Sequence, residues 1–283
     1  MKKLFLLVIL LLIVATGYSQ KQPYVIYNAK GKKVKYKKML KKLKDKDVVL
    51  FGEFHDNPIS HWLQYELTSD LHQEREVVLG AEMFEADNQI FLSEFMKGEI
   101  DFNAFDSLAR LWPNYKTDYA PLVEFAKENQ LQFVATNIPR RYANMVYKQD
   151  FKSLDSLSVE EKAWMAPLPI LFDPDLPRYK NILDMMGEHG SPKLVKAQAI
   201  KDATMAYFIL QNRTEGDLFI HYNGAYHSDY YEGILWYLQQ ENPDLDYATI
   251  STVSQDHVNS LEDEYEGKAD FIICVDSNMT KTY

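Results

Sequence analysis

The chain has 283 residues, a formal net charge of −10, and a single cysteine, Cys274. An acidic balance argues against nucleic acid as a partner. One thiol excludes an intramolecular disulfide and any cysteine-based metal site.

In chain order, Lys2 and Lys3 precede an apolar run from Leu4 to Ala15, and the small residues Gly17 and Ser19 precede Gln20. This pattern predicts a signal peptide over residues 1–19 and a mature, exported chain of residues 20–283, periplasmic or envelope-associated. No cysteine lies near the cleavage site, so lipidation is not expected. Loss of Lys2 and Lys3 takes the formal charge from −10 to −12. Residues 30–46 hold ten lysines, read as a solvated hairpin and helix face or, alternatively, as a patch for an anionic partner.

The stretch PYVIYNAKGKKVKY reads as a β-hairpin turning at Lys30-Gly31, with a short lysine-rich helix after it. Strands are expected at 48–52, 77–84, 131–138, 217–222, 247–253 and 269–275, where apolar residues recur between helical patterns. A helix from Pro58, capped by Asn57, separates the first two. Tyr119 to Asn129 forms another helix. Residues 140–212 are mostly helical, with a capping box at Ser158–Glu161 and Ser191-Pro192 opening a long helix. The proline-rich residues 166–179 read as a surface loop or flap. Alternating strands and helices predict one α/β domain, with a mainly parallel sheet flanked by helices, a helical insertion and an N-terminal hairpin.

Four of these strands end in polar groups. They are Glu53 and His55 after Gly52, then Glu82 and Glu85, then Arg140 and Arg141, and lastly His221, Tyr222, Asn223, Gly224 and His227. The carboxyl ends of parallel strands share one edge, where ligands bind. Glu53, His55, Glu82, Arg140 and His227 should therefore converge. Each also has a structural reading: Glu82 in an ion pair with Arg140, and His55 or His227 as a helix cap. His61, His72, His189 and His257 read as structural, and Trp112 and Tyr119 as core or cleft wall. As a functional set, Glu53, His55, Glu82 and His227 could hold a divalent metal that activates water, or supply a general base without metal. Tyr222, Tyr226, Tyr230 and Tyr231 crowd the fourth strand end and suggest haem ligation, with Arg140 and Arg141 for its propionates.

The segments FGEFHDNPISHWLQYELTSDL, LGAEMFEADNQIFL, WPNYKTDYAPLVEFAKENQLQFVATNIPRRYA and NGAYHSDYYEGILWYL together resemble the ChaN-like haem-binding uptake family, of the superfamily with Tiki proteases and erythromycin esterases. The resemblance covers about residues 45 to 240, with residues 140–212 as the insertion. It implies an α/β sheet, haem bound through tyrosine at a homodimer interface, and an envelope protein serving haem or iron uptake, with an outer-membrane haem or iron transport component as a possible partner. It puts the superfamily's active-edge positions on Glu53, His55, Glu82 and His227. The chain departs from the family in lacking a lipidation cysteine and in reading Asn-Gly-Ala-Tyr-His where Gly would directly precede the His. Haem binding is thus the first expectation. A metal-dependent hydrolase on the same edge is the second, and a non-catalytic scaffold the third.

Overall fold

The computed structural model describes residues 21–187 and 190–283, so the expected signal peptide and His189 lie outside the described residues. Strand β1 (Tyr24–Asn28) turns through Lys30-Gly31, where the Asn28 amide donates to Lys32 O (2.9 Å) and Val34 returns a bond to Ile26 O (2.8 Å). The return arm of this hairpin is a single bridge at Lys33. β1 takes its main pairing from the last strand instead. Helix α1 (Tyr36–Leu43) buries Met39 and Leu43 and leaves its lysines outside.

Next come β2 (Val48–Glu53), α2 (Pro58–His72), β3 (Val77–Glu85), α3 (Gln89–Met96), α4 (Phe102–Leu108), α5 (Ala120–Glu128) and β4 (Phe133–Asn137). The insertion contains α6 (Arg140–Gln149), α7 (Val159–Lys162), α8 (Pro177–Met186) and α9 (Pro192–Asn212). The chain closes with β5 (Leu218–Gly224), α10 (Ile234–Glu241), β6 (Tyr247–Gln255) and β7 (Phe271–Asp276). The sheet has seven strands in the order β1-β7-β6-β2-β5-β3-β4. All neighbours are parallel except β1 with β7. This is the expected fold class.

Strand alternation divides the core. Val49, Phe51, Leu218, Ile220 and Tyr222 pack with Leu63, Leu67 and Leu71 of α2. Val48, Leu50 and Phe219 pack with Met205, Ala206 and Ile209 of α9. Helices therefore cover both faces, and only the carboxyl edge of the inner strands is left for a site. Cys274 is buried in β7, as expected of a strand thiol. The irregular stretch is shorter than residues 166–179, because Pro177 opens α8 at its first turn.

Candidate functional site

β2 ends at Gly52-Glu53, and the glycine is required there. A Cβ on Gly52 would stand 2.9 Å from Ala225 Cα, so only glycine lets the turn after β5 close onto this strand. The chain then leaves the sheet and enters α2. Asn57 caps that helix itself, its Oδ1 accepting from the amides of Ile59 (3.0 Å) and Ser60 (3.1 Å). His55 is thus not needed as a cap. Its Nδ1 lies 2.8 Å from Glu53 Oε1.

Glu53 is 1% exposed yet fully partnered. The Tyr119 hydroxyl donates to Oε1 (2.8 Å), and Gln64 of α2 donates to Oε2. His61 Nδ1 is 3.5 Å away. His61 Nε2 and Asn114 Nδ2 both reach the backbone oxygen of His55, at 3.0 and 2.9 Å. Two side chains expected to be structural, His61 and Tyr119, thereby fix the Glu53–His55 pair. Trp112 stands edge-on to the His55 ring at 4.9 Å between centroids.

The second pair is built across the chain. Glu82 lies in β3 just where its register with β4 shifts. Its Oε2 accepts from the Gly224 amide (2.8 Å), and its Oε1 is 3.1 Å from His227 Nε2. The other face of the His227 ring meets Asp202 of α9, which sequence reasoning missed. Tyr179 donates to the far oxygen of Asp202 (3.1 Å), and Gln198 contacts His227 at 2.9 Å. Leu194, Gln198 and Asp202 recur every four residues, forming one stripe of α9. Asp202 had one legible signal: it is a carboxylate on the apolar, core-facing stretch Ala199-Ile200…Ala203-Thr204, and it is buried with them.

The two pairs meet at Gly224. A Cβ there would stand 2.8 Å from His55 Cε1 and Nε2 and 3.5 Å from Glu82 Oε2. Burial disfavours charge on His227, but the Glu82 and Asp202 carboxylates outweigh it, and its pKa is pushed up to about 10. Burial likewise opposes the Glu82 charge, yet His227, with His55 and Lys201 farther off, holds that carboxyl well below the usual range. Complete burial pushes Asp202 up. His227 therefore forms an ion pair with Glu82 and shares a proton-bearing hydrogen bond with Asp202. His55 is also partly buried. The Glu53 hydrogen bond and the Glu82 charge outweigh that burial and raise its pKa above the ordinary 6.5.

Above these groups is a cleft of about 790 Å³ whose floor includes Glu53, His55, Gly224 and His227. Its walls include Phe54, Ile182, Met186, Leu194, Tyr226 and Met279, and Lys268 and Lys281 stand on its rim.

Several expectations need correction. Arg140 is exposed at the start of α6 and is not among the cleft residues; Glu82 pairs with His227 instead. Arg141 is engaged by Asp87 (2.6 Å). Tyr222 is fully buried on the α2 face, its hydroxyl against Thr68, because it shares strand parity with Leu218 and Ile220. Tyr230 donates to Glu264 O (2.9 Å), and Tyr231 faces Asp270, 3.5 Å away. Of the four tyrosines, Tyr226 alone lines the cleft. Glu53, His55, Glu82 and His227 do converge, but as donors and acceptors to one another. Among the described residues no group of three or more His, Cys, Asp or Glu side chains is arranged to hold a metal ion, which removes the support for the metal-centred reading.

An α/β sheet of this order, with a helical insertion over an acid–imidazole edge, defines the class of protein. The family described as "Haem-binding uptake, Tiki superfamily, ChaN" matches residues 39–238, and the chain belongs to it. Among solved structures, the fold is similar to ChaN of Campylobacter jejuni, described with cofacial haem binding. That protein is 18% identical, with a TM-score of 0.66 over 88% of this chain and 96% of that one. A Bacillus cereus protein is similar at 10% identity, with a TM-score of 0.51 over 84% and 90%. A comparison with curated protein sequences finds no match.

Proposed function

We propose that this chain binds haem in the cleft above the carboxyl edge, as an exported protein of haem or iron handling. The observation that carries the reading is the position of Tyr226, half-buried in a cleft wall that it shares with Phe54, Ile182, Met186 and Leu194, with lysines on the rim. The residues fit the group. A phenol oxygen is a hard donor suited to ferric iron, apolar side chains suit the porphyrin faces, and cations suit the propionates. Bound haem would supply a redox-active iron centre; the chain supplies its oxygen ligand, its apolar cover and its counter-charge. Membership of a haem-binding family supports the same ligand.

Met185 and Met186 on α8 are 67% and 45% exposed beside Tyr226. A second copy covering these side chains accounts for them, so the haem-bound form is a homodimer in this reading. Export rests on the Lys2-Lys3, Leu4–Ala15 and Gly17–Ser19 pattern, and it makes an outer-membrane haem or iron transport component a fitting partner.

Titration of the chain from Gln20 onward with ferric haem tests the ligand: a Soret band saturating at a fixed stoichiometry per chain is expected. Tyr226→Phe removes the oxygen and keeps the ring, so its ferric spectrum should change. An unaltered spectrum sinks the assignment. Intact mass of protein from the native envelope tests processing at Gln20.

One feature favours a second reading, hydrolysis without a metal. His55 is anchored through Nδ1 by Glu53 and carries Nε2 against Gly224 on the cleft floor, beside the His227 cation. Nε2 is the position of a general base towards water, and His227 that of a positive group for a developing oxyanion. His55→Gln should abolish such hydrolysis, assayed with a p-nitrophenyl ester, and leave haem binding intact.

A further inference from the structure

Arg178 is 8% exposed, yet its Nε and one terminal nitrogen, Nη2, have no hydrogen-bond partner among the described residues. Its Nη1 has a long bond to Asn181 Oδ1 (3.3 Å). The carboxylate nearest its Nη2 is Asp229 Oδ2 at 3.6 Å, beyond hydrogen-bond reach. Asp229 is otherwise committed: Lys268 Nζ is 2.8 Å away and Ser251 donates at 2.6 Å. Glu232 also lies close, but its carboxylate accepts from the backbone amide of Arg178 (2.8 Å). A buried guanidinium with idle donors is costly unless something completes it.

Arg178 is not itself a cleft residue but lies directly behind the wall: Arg178, Ile182 and Met186 recur every four residues on α8, and the latter two line the cleft. Tyr226 of that wall lies over the guanidinium at 3.8 Å, and Tyr230 stands at 5.2 Å. Tyr230 and Tyr231 both hold left-handed backbone, at φ 58° and 64°, without being glycine. Strain of this kind costs on the order of 1–3 kcal/mol per residue and collects at ligand sites.

We infer that Arg178, with Lys268 beside it, forms a carboxylate-binding subsite behind Tyr226 in the cleft wall. The inference rests on the haem reading and deepens it: for haem, the group held there is a propionate. A planar fork with two free donor nitrogens matches a carboxylate, and Lys268 adds a second positive charge beside the carboxylates of Asp229 and Glu232. Tyr226 then joins the two recognition elements: its hydroxyl, which donates to Asn181 Oδ1 (2.6 Å), would turn to iron, and its ring is stacked on the cation that takes the carboxylate.

The test compares ferric haem with its dimethyl ester, in which both carboxylates are masked. The parent protein and Arg178→Met are titrated with each. Loss of a charge-assisted contact of this kind should weaken haem binding about ten- to a hundredfold. Binding of the dimethyl ester should be the same for both proteins. Because both porphyrins are titrated into the same sample, the ratio of affinities holds even if less of the variant is folded. Arg178→Lys, which keeps the charge and loses the fork, should fall between. An equal loss for both porphyrins, or no loss for either, overturns the subsite and leaves the haem reading standing. Failure of the parent to bind either porphyrin overturns the haem reading and the subsite with it.

Discussion

Replacing His227 by Gln removes the cation that bridges Glu82 and Asp202 and leaves two buried carboxylates facing a neutral amide. Deleting one partner of a buried ion pair costs about 3–5 kcal/mol. The rise of the His227 pKa from 6.5 to about 10 has the sign of a stabilising ion pair. Parent and variant should then both lose stability as pH rises, for different reasons. In the parent, the folded pKa of His227 lies above its unfolded value. That contribution is complete below about pH 6.5 and is lost as pH rises towards 10. The lowered pKa of Glu82 adds stability that is complete above the ordinary carboxylate range and fades as pH falls below it. In the variant, the two carboxylates lose the cation between them, so burial and mutual repulsion raise their folded pKa values. The variant therefore gains stability as pH falls and its carboxylates take up protons. Urea unfolding of both proteins at pH 5 and pH 8, followed by circular dichroism, measures this. The deficit of the variant should be several kcal/mol. A deficit below about 1 kcal/mol at both pH values would refute the buried ion pair as the source of stability.

Glu53→Gln turns an acceptor of bonds from His55, Gln64 and Tyr119 into a group with two donors, so a loss of about 1–3 kcal/mol in urea unfolding is expected. His55→Gln, on a side chain about one-third exposed, should cost under 1 kcal/mol, and a larger loss would make His55 a structural residue. Gly224→Ala puts a methyl group 2.8 Å from His55 Nε2 and should push that ring off Glu53; the His55 pKa, read by NMR titration, should fall towards 6.5, and an unchanged value would contradict the contact. Asn57→Ala removes the cap of α2 and should lower stability by about 1 kcal/mol without altering porphyrin affinity.

Much of this architecture was legible because its inner strands are buried on both faces. Such strands read as unbroken apolar runs, and Val48–Phe51 and Phe271–Val275 need no alternation to be recognised. The polar ends of those runs then located the edge, since parallel strands point their carboxyl ends the same way. The rest depended on rotation about an axis, which a run of letters does not fix. Gln64, Tyr119 and Asp202 reach the site from elements whose facing depends on how each helix seats on the sheet. The tyrosines were separable in principle. Tyr222 shares strand parity with Leu218 and Ile220, which turns it away from His221, whereas Tyr226 follows the strand and is free of that alternation. Arg178 was hidden because Pro177 was read as part of a loop rather than as the first residue of α8.

The balance of charge on the cleft floor bears on which reading the site serves. Glu53 is neutralised locally by His55 and by neutral donors, and Glu82 is neutralised across the sheet by His227. A floor whose polar groups are already satisfied gains little from a polar ligand, because every new hydrogen bond must replace an existing one. Affinity must then come from the walls and the rim: the apolar side chains, Tyr226 and the cations. That distribution suits a flat, apolar ligand with peripheral carboxylates. It also sets a condition on hydrolysis. His55 acts as a base only after losing its proton, and Glu53 and Glu82 hold its pKa above 6.5, against burial. Esterase activity carried by His55 should therefore rise with pH through that elevated value, whereas porphyrin bound through Tyr226 should show no step there. Parallel pH profiles of ester hydrolysis and of the Soret band separate the two. An activity that is flat with pH removes His55 as a base, and a Soret titration that follows the His55 pKa removes the independence of the Tyr226 site.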